Sequence, residues 1–496
     1  VSESRGLGDV YKRQLLVIQS TSLCNLDCSY CYLPDRQRRN VFNLQQQLPL
    51  LLERIYESPF WGPHLSILWH AGEPLTLPTG FYDQASAIIQ RQTAGLQEQG
   101  VVIEQHVQTN ATLINHDWCD CFQRNRIVVG VSVDGPEEIH DSHRRFRNGR
   151  GSYAQTMRGI RTLRERDIDF HAIAVLTADA LEQPERMYTF FRDEGIHQLG
   201  FNVEEQEGVH TSSSMQGLLK EKLYREFLSR FWACNEKDGF PIQVREFDQV
   251  MGMIAGGQRL LQNEMNRPYA ILSVDAKGNF STFDPELLSV ETERYGLFNL
   301  GNIRDVSLME ATQTEAFQRL LRDMSSGMKR CQQECEYYGF CGGGTGSNKY
   351  WEHGSLDATE TCACRFSSQI PVDVLTSLAT ATAESHGFEL VSVQMLAHLK
   401  PMTLQVQIRR SNGDDVSLDD CAGFTAPMGE AIEEAELLSE AYVLEISSPG
   451  IGDWLQSDRD FQTFRSFPVD VVHKDDEGRE QRLSGTLLEL SLIHIS

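Results

Sequence analysis

The first chemistry in the chain is carried by Cys24, Cys28 and Cys31, spaced C-x-x-x-C-x-x-C directly after an apolar run. Three thiolates can hold three irons of a [4Fe–4S] cube and leave the fourth iron open to an outside ligand. For the triplet taken alone, a thiolate-bound zinc or a set of buried thiols is the competing reading. Cys331, Cys335 and Cys341 form a second group, followed by the Gly-rich GGGTGSNK and by TCACR, which holds Cys362 and Cys364. Structural zinc competes with iron–sulfur here too, because zinc also accepts four thiolates. Cys119 and Cys121, Cys234 and Cys421 sit in helix-like surroundings and read as core thiols. Twelve cysteines grouped at short spacings in a long chain favour metal ligation in a reducing compartment over disulfides. The expected localisation is cytoplasmic.

The elements that must position these residues show in the apolar pattern. Near-continuous apolar runs occupy 15–21, 65–71, 103–110, 127–134, 169–177 and 198–205. Such runs suit strands buried on both faces of a parallel sheet, with amphipathic crossovers between them. Six β/α units predict an α/β fold, a partial (β/α)6 barrel, whose strand ends gather chemistry at one mouth. Ser20, His70, Glu73, Gln108, Asn110, Ser132, Asp134, Asn202 and Glu204 all fall at those ends. A helical stretch is predicted at about 216–262, and 271–365 turns Gly- and Cys-rich, as where metal ligation replaces a hydrophobic core. From about 373 the pattern changes to a helix at 373–386, strands at 388–396 and 402–410, a helix opening at Ser417, and a strand at 441–448.

A length of 496 residues predicts two or three domains. No apolar run approaches the roughly 18 residues of a membrane helix. Seventy Asp and Glu against 45 Lys and Arg give a net charge of −25, which disfavours binding to DNA or an anionic membrane. Residues 1–14 and 491–496 carry no periodic pattern and read as a non-native leader and tail.

Residues 15–365 resemble the radical S-adenosylmethionine (SAM) enzymes with a SPASM extension. The resemblance rests on the cysteine triplet with Tyr32, on WHAGEPL (69–75), QTNA (108–111) and SVDGPEEIHDSHRR (132–145), and on the second cysteine group. STFDPELL, YGLFNLGNI, CEYYGFCGGGTGSNKYWEHG and TETCACR make it most similar to the cyclophane-forming peptide maturases. The resemblance implies that Cys24, Cys28 and Cys31 hold a [4Fe–4S] cluster that binds SAM and splits it to a 5′-deoxyadenosyl radical. Tyr32 is then expected against the cluster or adenine. Gly72, Glu73 and Pro74 match the G-G-E-P segment that receives the SAM ammonium, with Ala71 replacing its first Gly. Gln108 and Asn110 face the same mouth, Ser132 and Asp134 look like ribose or substrate contacts, and Arg144 looks like a carboxylate contact. His140 and His143 are expected at the surface or as helix caps.

Cys331, Cys335, Cys341 and Cys364, with Cys362 as the alternative, would hold an auxiliary [4Fe–4S] cluster. Only one is expected, because Thr345 replaces a further Cys and 279–288 contains none. The implied reaction removes a β-hydrogen from a ribosomally made precursor peptide and joins that carbon to an aromatic ring, with loss of one electron and one proton. The auxiliary cluster would accept the electron, and flavodoxin or ferredoxin would reduce the first cluster. Glu204, Glu205 and Asp284 are candidates for the proton acceptor, beside the plainer reading that they are exposed surface carboxylates. A thioether-forming maturase and a sulfatase-maturing enzyme are the alternatives within the class.

Residues 373–490 resemble the ribosome maturation factor RimP, through GFELVSVQ, VSLDDCAGF, AYVLEISSPGIGDWL and RLSGTLLEL. The resemblance implies an α/β domain and the start of an SH3-like barrel acting in small-subunit assembly. Asp453 stands where that family carries a basic residue, and 8 Lys and Arg against 22 Asp and Glu over 373–490 give 8 − 22 = −14. Contact with the small ribosomal subunit is therefore expected through a basic protein rather than phosphate. The expected boundaries are 15–230 for the barrel, 231–365 for the SPASM-like domain, 366–378 for a junction that reads as a fusion point, 379–460 for the RimP-like α/β domain and 461–490 for the truncated barrel.

Overall fold

The computed structural model describes residues 13–60, 62–98, 100–248, 260–374, 388–396, 402–410, 416–434, 442–447, 468–474 and 480–486. Residues 1–12, Asp453 and the expected tail lie outside the described residues. The chain divides into two compact units, Val1–Leu378 with Ile432–Ser439, and Ala379–Ala431 with Glu440–Ser496.

In the first unit strands and helices alternate: β1 (Arg13–Ile18), α1 (Leu44–Tyr56), β2 (His64–Trp69), α2 (Thr79–Gln97), β3 (Val102–Thr109), α3 (His116–Asn125), β4 (Ile127–Ser132), α4 (Glu137–His143), α5 (Tyr153–Glu165), β5 (Phe170–Leu176), α6 (Pro184–Asp193) and β6 (Gln198–Val203). Each strand pairs in parallel with the next, from Leu15 beside Ser66 round to Leu176 beside Val203. This is the partial-barrel sheet that the apolar runs predict. Leu16, Ile18, Ile67, Val129, Val131, Ala172 and Ala174 are buried in it, and α1 covers it with Leu48, Leu51, Leu52 and Ile55 at helical spacing. Asn43 and Asn115 start α1 and α3 by accepting the Gln46 and Trp118 amide hydrogens.

Four expectations about extent are corrected. Arg13 and Gln14 are not leader: they open β1, and the buried Gln14 donates to the Tyr269 carbonyl at 3.0 Å. The helical stretch read over 216–262 is interrupted: α7 (Leu218–Lys237) stops where Gly239 turns left-handed at φ +75° and Pro241 follows, and helix resumes over 245–248, beyond which 249–259 lie outside the described residues. Between the two lies β7 (Gln243–Val244), beside β6. The boundary at 230/231 does not cut the sheet. β8 (Ile271–Val274) pairs in parallel with β1, and β9 (Asn279–Thr282) and β10 (Gly301–Asn302) extend that edge antiparallel, for ten strands among the described residues. Residues 366–374 are not a linker, since Phe366 packs on Tyr224 and Asp373 pairs with Arg225 at 2.7 Å. Ile370, Val372 and Val374 are buried in the same core; the rest of the expected junction, 375–378, lies outside the described residues.

In the second unit Phe388–Leu396 pairs antiparallel with Met402–Arg410, which pairs in parallel with Tyr442–Ser447. The helix Leu418–Glu434 opens on a reciprocal box. Asp420 N–H donates to Ser417 Oγ at 3.1 Å, and Ser417 N–H donates to the Asp420 carboxylate at 2.8 Å. Hydrogen bonds from Arg410 and Ser417 hold that carboxyl well below its usual range. Pro468–Lys474 and Glu480–Thr486 form an antiparallel pair. Among the described residues no helix is long and apolar enough to cross a membrane.

Candidate active site

The loop after β1 carries Cys24, Cys28 and Cys31, all free of disulfides. Its shape is set mostly by backbone bonds. Cys24 N–H donates to Arg36 O (2.9 Å), Asp27 N–H to Arg145 O (2.7 Å) and Ser29 N–H to His143 O (3.1 Å). Arg147 donates to the Cys24 carbonyl at 3.1 Å and Arg36 to the Cys28 carbonyl at 3.2 Å. The segment 143–147 is thus a brace for the cysteine loop. Sequence reasoning missed Arg147 and Arg36, although both lie within or beside segments it singled out.

The end of β2 presses on the same loop. A Cβ on Gly72 would stand 2.4 Å from the Thr21 carbonyl oxygen and 2.9 Å from that of Leu23, so only glycine fits. Gly72 is also left-handed, and Ala71 beside it takes φ +68°, a strained value for alanine where the related motif has glycine. The Glu73 carboxylate is buried and accepts from Leu75 N–H (3.0 Å), Thr109 Oγ1 (2.7 Å) and Asn110 N–H (2.9 Å). It ties β2 to β3 through three hydrogen bonds, and the backbone of Gly72–Pro74 lies beside it. Asn110 donates to Asn25 on the cysteine loop at 2.8 Å, and Gln108 donates to Ser132 at 2.9 Å.

Asp134 and Arg144, expected to meet a ligand, stand against each other. Arg144 Nε stands 2.9 Å from the Asp134 carboxylate, which also accepts from Tyr30 and from Val175 N–H; both charged residues are buried. Burying either charge alone is costly, and pairing offsets part of that cost. His140 is neither at the surface nor a cap. It is fully buried, donating or accepting at Ser152 and accepting Asp134 N–H, and burial pushes its pKa down to about 4. His143 is mostly buried between Ser29, Thr177 and Asp179.

Burial pushes the Cys24 and Cys28 thiols up to about 12, with Glu73 adding to Cys24 and Arg144 opposing at Cys28. Such thiols ionise readily only with a cation at hand, and three thiols on one loop form a donor set for a thiophilic metal centre. Among the described residues no three Cys, His, Asp or Glu converge on one metal ion. A cube takes each thiolate on a different iron, so its three thiols need not meet at one atom.

In the second group Cys331 lies near the end of the helix Glu315–Glu334, Cys335 caps it, and Cys341 precedes three left-handed glycines, Gly342 to Gly344. Asn263 and Asn266 hold that glycine loop through the Cys341, Gly342 and Gly344 carbonyls. Cys364 belongs to this group: a Cβ on Gly344 would stand 3.2 Å from its sulfur, and Thr361 donates to that sulfur at 3.1 Å. Gly343 N–H donates to Cys341 Sγ (3.4 Å) and the fully buried Lys349 to Cys331 Sγ (3.8 Å). Cys362 faces away, with its thiol toward the Met215 carbonyl. Cys119 and Cys121 are buried in the barrel core, whereas Cys234 and Cys421 are half-buried on helices.

None of the three candidate carboxylates is an exposed surface group. Glu204 is buried and spent on His210 (3.0 Å) and Ser214 N–H (2.8 Å). Glu205 accepts from Asn348 at 2.9 Å, and burial raises its pKa to about 7. Asp284 is 0% exposed; one oxygen accepts from Ser347 N–H at 2.8 Å and the other has no partner. Burial, reinforced by Glu286, pushes it up to about 8. Phe283, just before it, is held at φ +70°. Glu207 and Glu286, missed in the sequence, stand in the same group, and both bear on the half-buried Tyr32 that follows Cys31. A cavity of about 120 Å³ opens beside Tyr32, His70, Ala71 and Glu286. Another of about 230 Å³ lies between Glu205, Glu352 and Cys362.

Residues 18–191 match the radical SAM superfamily, and residues 378–452 match the RimP N-terminal domain. The protein sll1766 of Synechocystis sp. is 47% identical over 363 residues, covering 73% of this chain and 90% of that protein. The ribosome maturation factor RimP of Synechococcus sp. (strain WH7803) is 69% identical over 121 residues, covering 24% of this chain and 78% of that protein. The chain therefore belongs to the radical SAM superfamily through its first unit and to the RimP family through its C-terminal quarter. Its fold is shared by anSMEcpe, solved with bound AdoMet and Cp18Cys peptide (TM-score 0.59, 21% identity, 75% of this chain and 99% of that one). It is also shared by Streptococcus suis SuiB bound to precursor peptide SuiA (TM-score 0.51, 16% identity, 71% and 75%). As a radical SAM enzyme the chain works with SAM and a [4Fe–4S] cluster.

Proposed function

We propose that the first unit modifies a ribosomally made precursor peptide by joining a side-chain β-carbon to an aromatic ring. The observation that carries this reading is Asp284, a buried carboxylate with one free oxygen and a pKa raised to about 8. Such a group suits the removal of one proton from a ring that must regain aromaticity. Peptide substrates accord with the bound peptides named for anSMEcpe and SuiB.

When bound, the cluster on Cys24, Cys28 and Cys31 with SAM supplies the 5′-deoxyadenosyl radical, and an auxiliary cluster on Cys331, Cys335, Cys341 and Cys364 supplies an electron sink. The protein's own residues do the rest. The 143–147 brace and the Gly72 contact hold the cysteine loop in place, and the Asn25–Asn110 bond fixes it to β3. The Gly72–Pro74 backbone would receive the SAM ammonium, and Ser132 with Gln108 would border the same mouth. The enclosing sheet excludes water and stray hydrogen donors. Asp284 accepts the ring proton at its free oxygen. A cytoplasmic flavodoxin or ferredoxin would supply the reducing electron. The test is anaerobic reconstitution with iron and sulfide, reduction, and mass spectrometry with SAM and a candidate precursor peptide. 5′-Deoxyadenosine together with a peptide lighter by two hydrogens is the expected result; deoxyadenosine with a thioether would refute the carbon–carbon bond.

For the C-terminal region we infer a contact with the small ribosomal subunit, on the strength of its RimP family membership and carried by a basic protein because the region is acidic. Pelleting the full chain with 30S particles at rising salt tests this.

A further inference from the structure

We propose that the arginines around the cysteine loop form the docking face for the reductant, a small acidic protein with a low-potential one-electron centre. This rests on the need for an external electron under the proposed function and names the surface that receives it.

The whole chain carries −25, yet the two segments that frame the loop are basic. Residues 24–40 and 141–151 hold seven Arg against three Asp, with no Lys or Glu. The fold brings the two segments together. Asp27 N–H donates to the Arg145 carbonyl, Leu26 pairs with Phe146, and Arg147 donates to the Arg36 carbonyl at 2.8 Å. Part of the charge is compensated. Arg144 is spent on the buried Asp134, Asp27 stands between Arg36 (3.2 Å) and Arg147 (4.0 Å), and Asp35 faces Arg38 at 3.5 Å in an exposed pair that contributes little. The Asp141 carboxylate is turned to Tyr153 N–H at 2.8 Å. Arg39, Arg145 and Arg150 are exposed and meet no carboxylate among the described residues: Arg145 donates to the Asp141 carbonyl, and Arg150 lies over the Phe146 ring at 5.3 Å. A cationic rim on an anionic protein steers an acidic partner to that face.

Two further observations say which acidic partner fits. First, the rim is one hydrogen bond from the cluster ligands, since Arg147 donates to the Cys24 carbonyl at 3.1 Å and Arg36 to the Cys28 carbonyl at 3.2 Å. A redox centre seated here stands close to two of the three thiols. Second, part of the rim is a protruding turn. Phe146 N–H donates to Arg150 O and Gly149 N–H to Phe146 O, each at 2.8 Å; Gly149 is left-handed at φ +81°, and residues 147–150 are exposed. A convex turn meets a globular surface, whereas an extended peptide is held in a groove. In the step itself one electron passes from the carrier to the [4Fe–4S]2+ cluster, leaving the cluster 1+ and the carrier oxidised by one electron. No bond forms and no proton moves.

The probe is fluorescein-labelled oxidised flavodoxin, titrated by anisotropy into the full, cluster-reconstituted chain at about 50 mM and about 300 mM salt, which differ in screening length. Arg39→Glu/Arg150→Glu should weaken binding at least about tenfold at the lower salt, and the difference should shrink at the higher. Lys222→Glu/Arg319→Glu makes the same change of charge on two exposed residues elsewhere and should stay within about twofold of the unmodified chain. A second measurement separates docking from damage. With dithionite, a small reductant that needs no docking face, 5′-deoxyadenosine should form equally in both variants. Equal binding of the two variants, no binding by the unmodified chain, or tighter binding of labelled oligouridylate than of flavodoxin overturns the docking face and leaves the radical SAM reading standing. Loss of dithionite-driven deoxyadenosine in Arg39→Glu/Arg150→Glu overturns it too, because the arginines would then serve the site itself. No deoxyadenosine from the unmodified chain under dithionite overturns both the proposed function and the docking face that rests on it.

Discussion

The two cysteine groups solve different problems with the same side chain. The first puts three thiols on a loop with a cavity beside it, and its guanidiniums bind backbone carbonyls or neighbouring carboxylates. The second puts four thiols between a helix end, a glycine loop and a short turn, and points a fully buried ammonium at one sulfur. Three thiols with an opening leave a coordination position for a ligand, whereas four thiols with a buried counter-charge leave none. The thiol count and the enclosure, more than the Cys-x-Cys spacing, separate a site that must admit a substrate from one that need only hold charge.

The sharpest break of this contrast is removal of the open group. Replacing Cys24, Cys28 and Cys31 together by Ala should reduce 5′-deoxyadenosine to the level without protein, by mass spectrometry, while iron bound at the second group remains. Next in size is Asp284→Asn. Crosslinked peptide should fall by about 10²- to 10⁴-fold, the usual worth of a positioned general base, while deoxyadenosine continues to form. The pH profile gives the sign independently. Asp284 must be ionised to accept a proton, so crosslinking in the unmodified enzyme should rise with pH through about 8, and Asp284→Asn should lose that rise.

A smaller effect tests the closed group. Cys364→Ser should lower iron from about eight per chain toward about four, the difference of one [4Fe–4S] cluster, because Cys364 lies with Cys341 and Gly344. Cys362→Ser should leave iron unchanged, since that thiol faces Met215 and Glu352. Equal losses in the two variants would erase the geometric distinction between them.

Sequence carried the barrel well because strands covered on both faces read as unbroken apolar runs, and all six lie where those runs fall. It carried the cysteine groups because thiol spacing is local. It could not decide between Cys362 and Cys364, two residues apart, because only the path of the glycine loop does so. Long-range closure was equally hidden. ILSV at 271–274 is too short to announce a strand, yet it pairs with β1 some 255 residues earlier, by the separation of Gln14 from Tyr269. Asp134 and Arg144 were seen as ligand contacts because each type suits that work; that they neutralise one another is a fact of three-dimensional packing.

Lys349 offers the finest test. Its ammonium is 0% exposed and its hydrogen bond is to Cys331 Sγ at 3.8 Å. If iron binds there, the sulfurs are thiolates and Lys349 is their counter-charge. Lys349→Met then removes a cation that favours the reduced state, which holds one more electron. The auxiliary reduction potential should fall, on the order of tens of millivolts for a screened charge at this range, in an EPR-monitored titration. Stability should move in opposite directions with and without iron. In the iron-free chain burial pushes the Cys331 thiol toward its neutral form, so methionine removes a buried ammonium that lacks a thiolate partner and Tm should rise. In the loaded chain the same change strips charge compensation from a thiolate, and Tm should fall. A shift of the same sign in both forms would mean that Lys349 is packing rather than a counter-ion, and the contrast between an open and a charge-balanced group would then rest on thiol count alone.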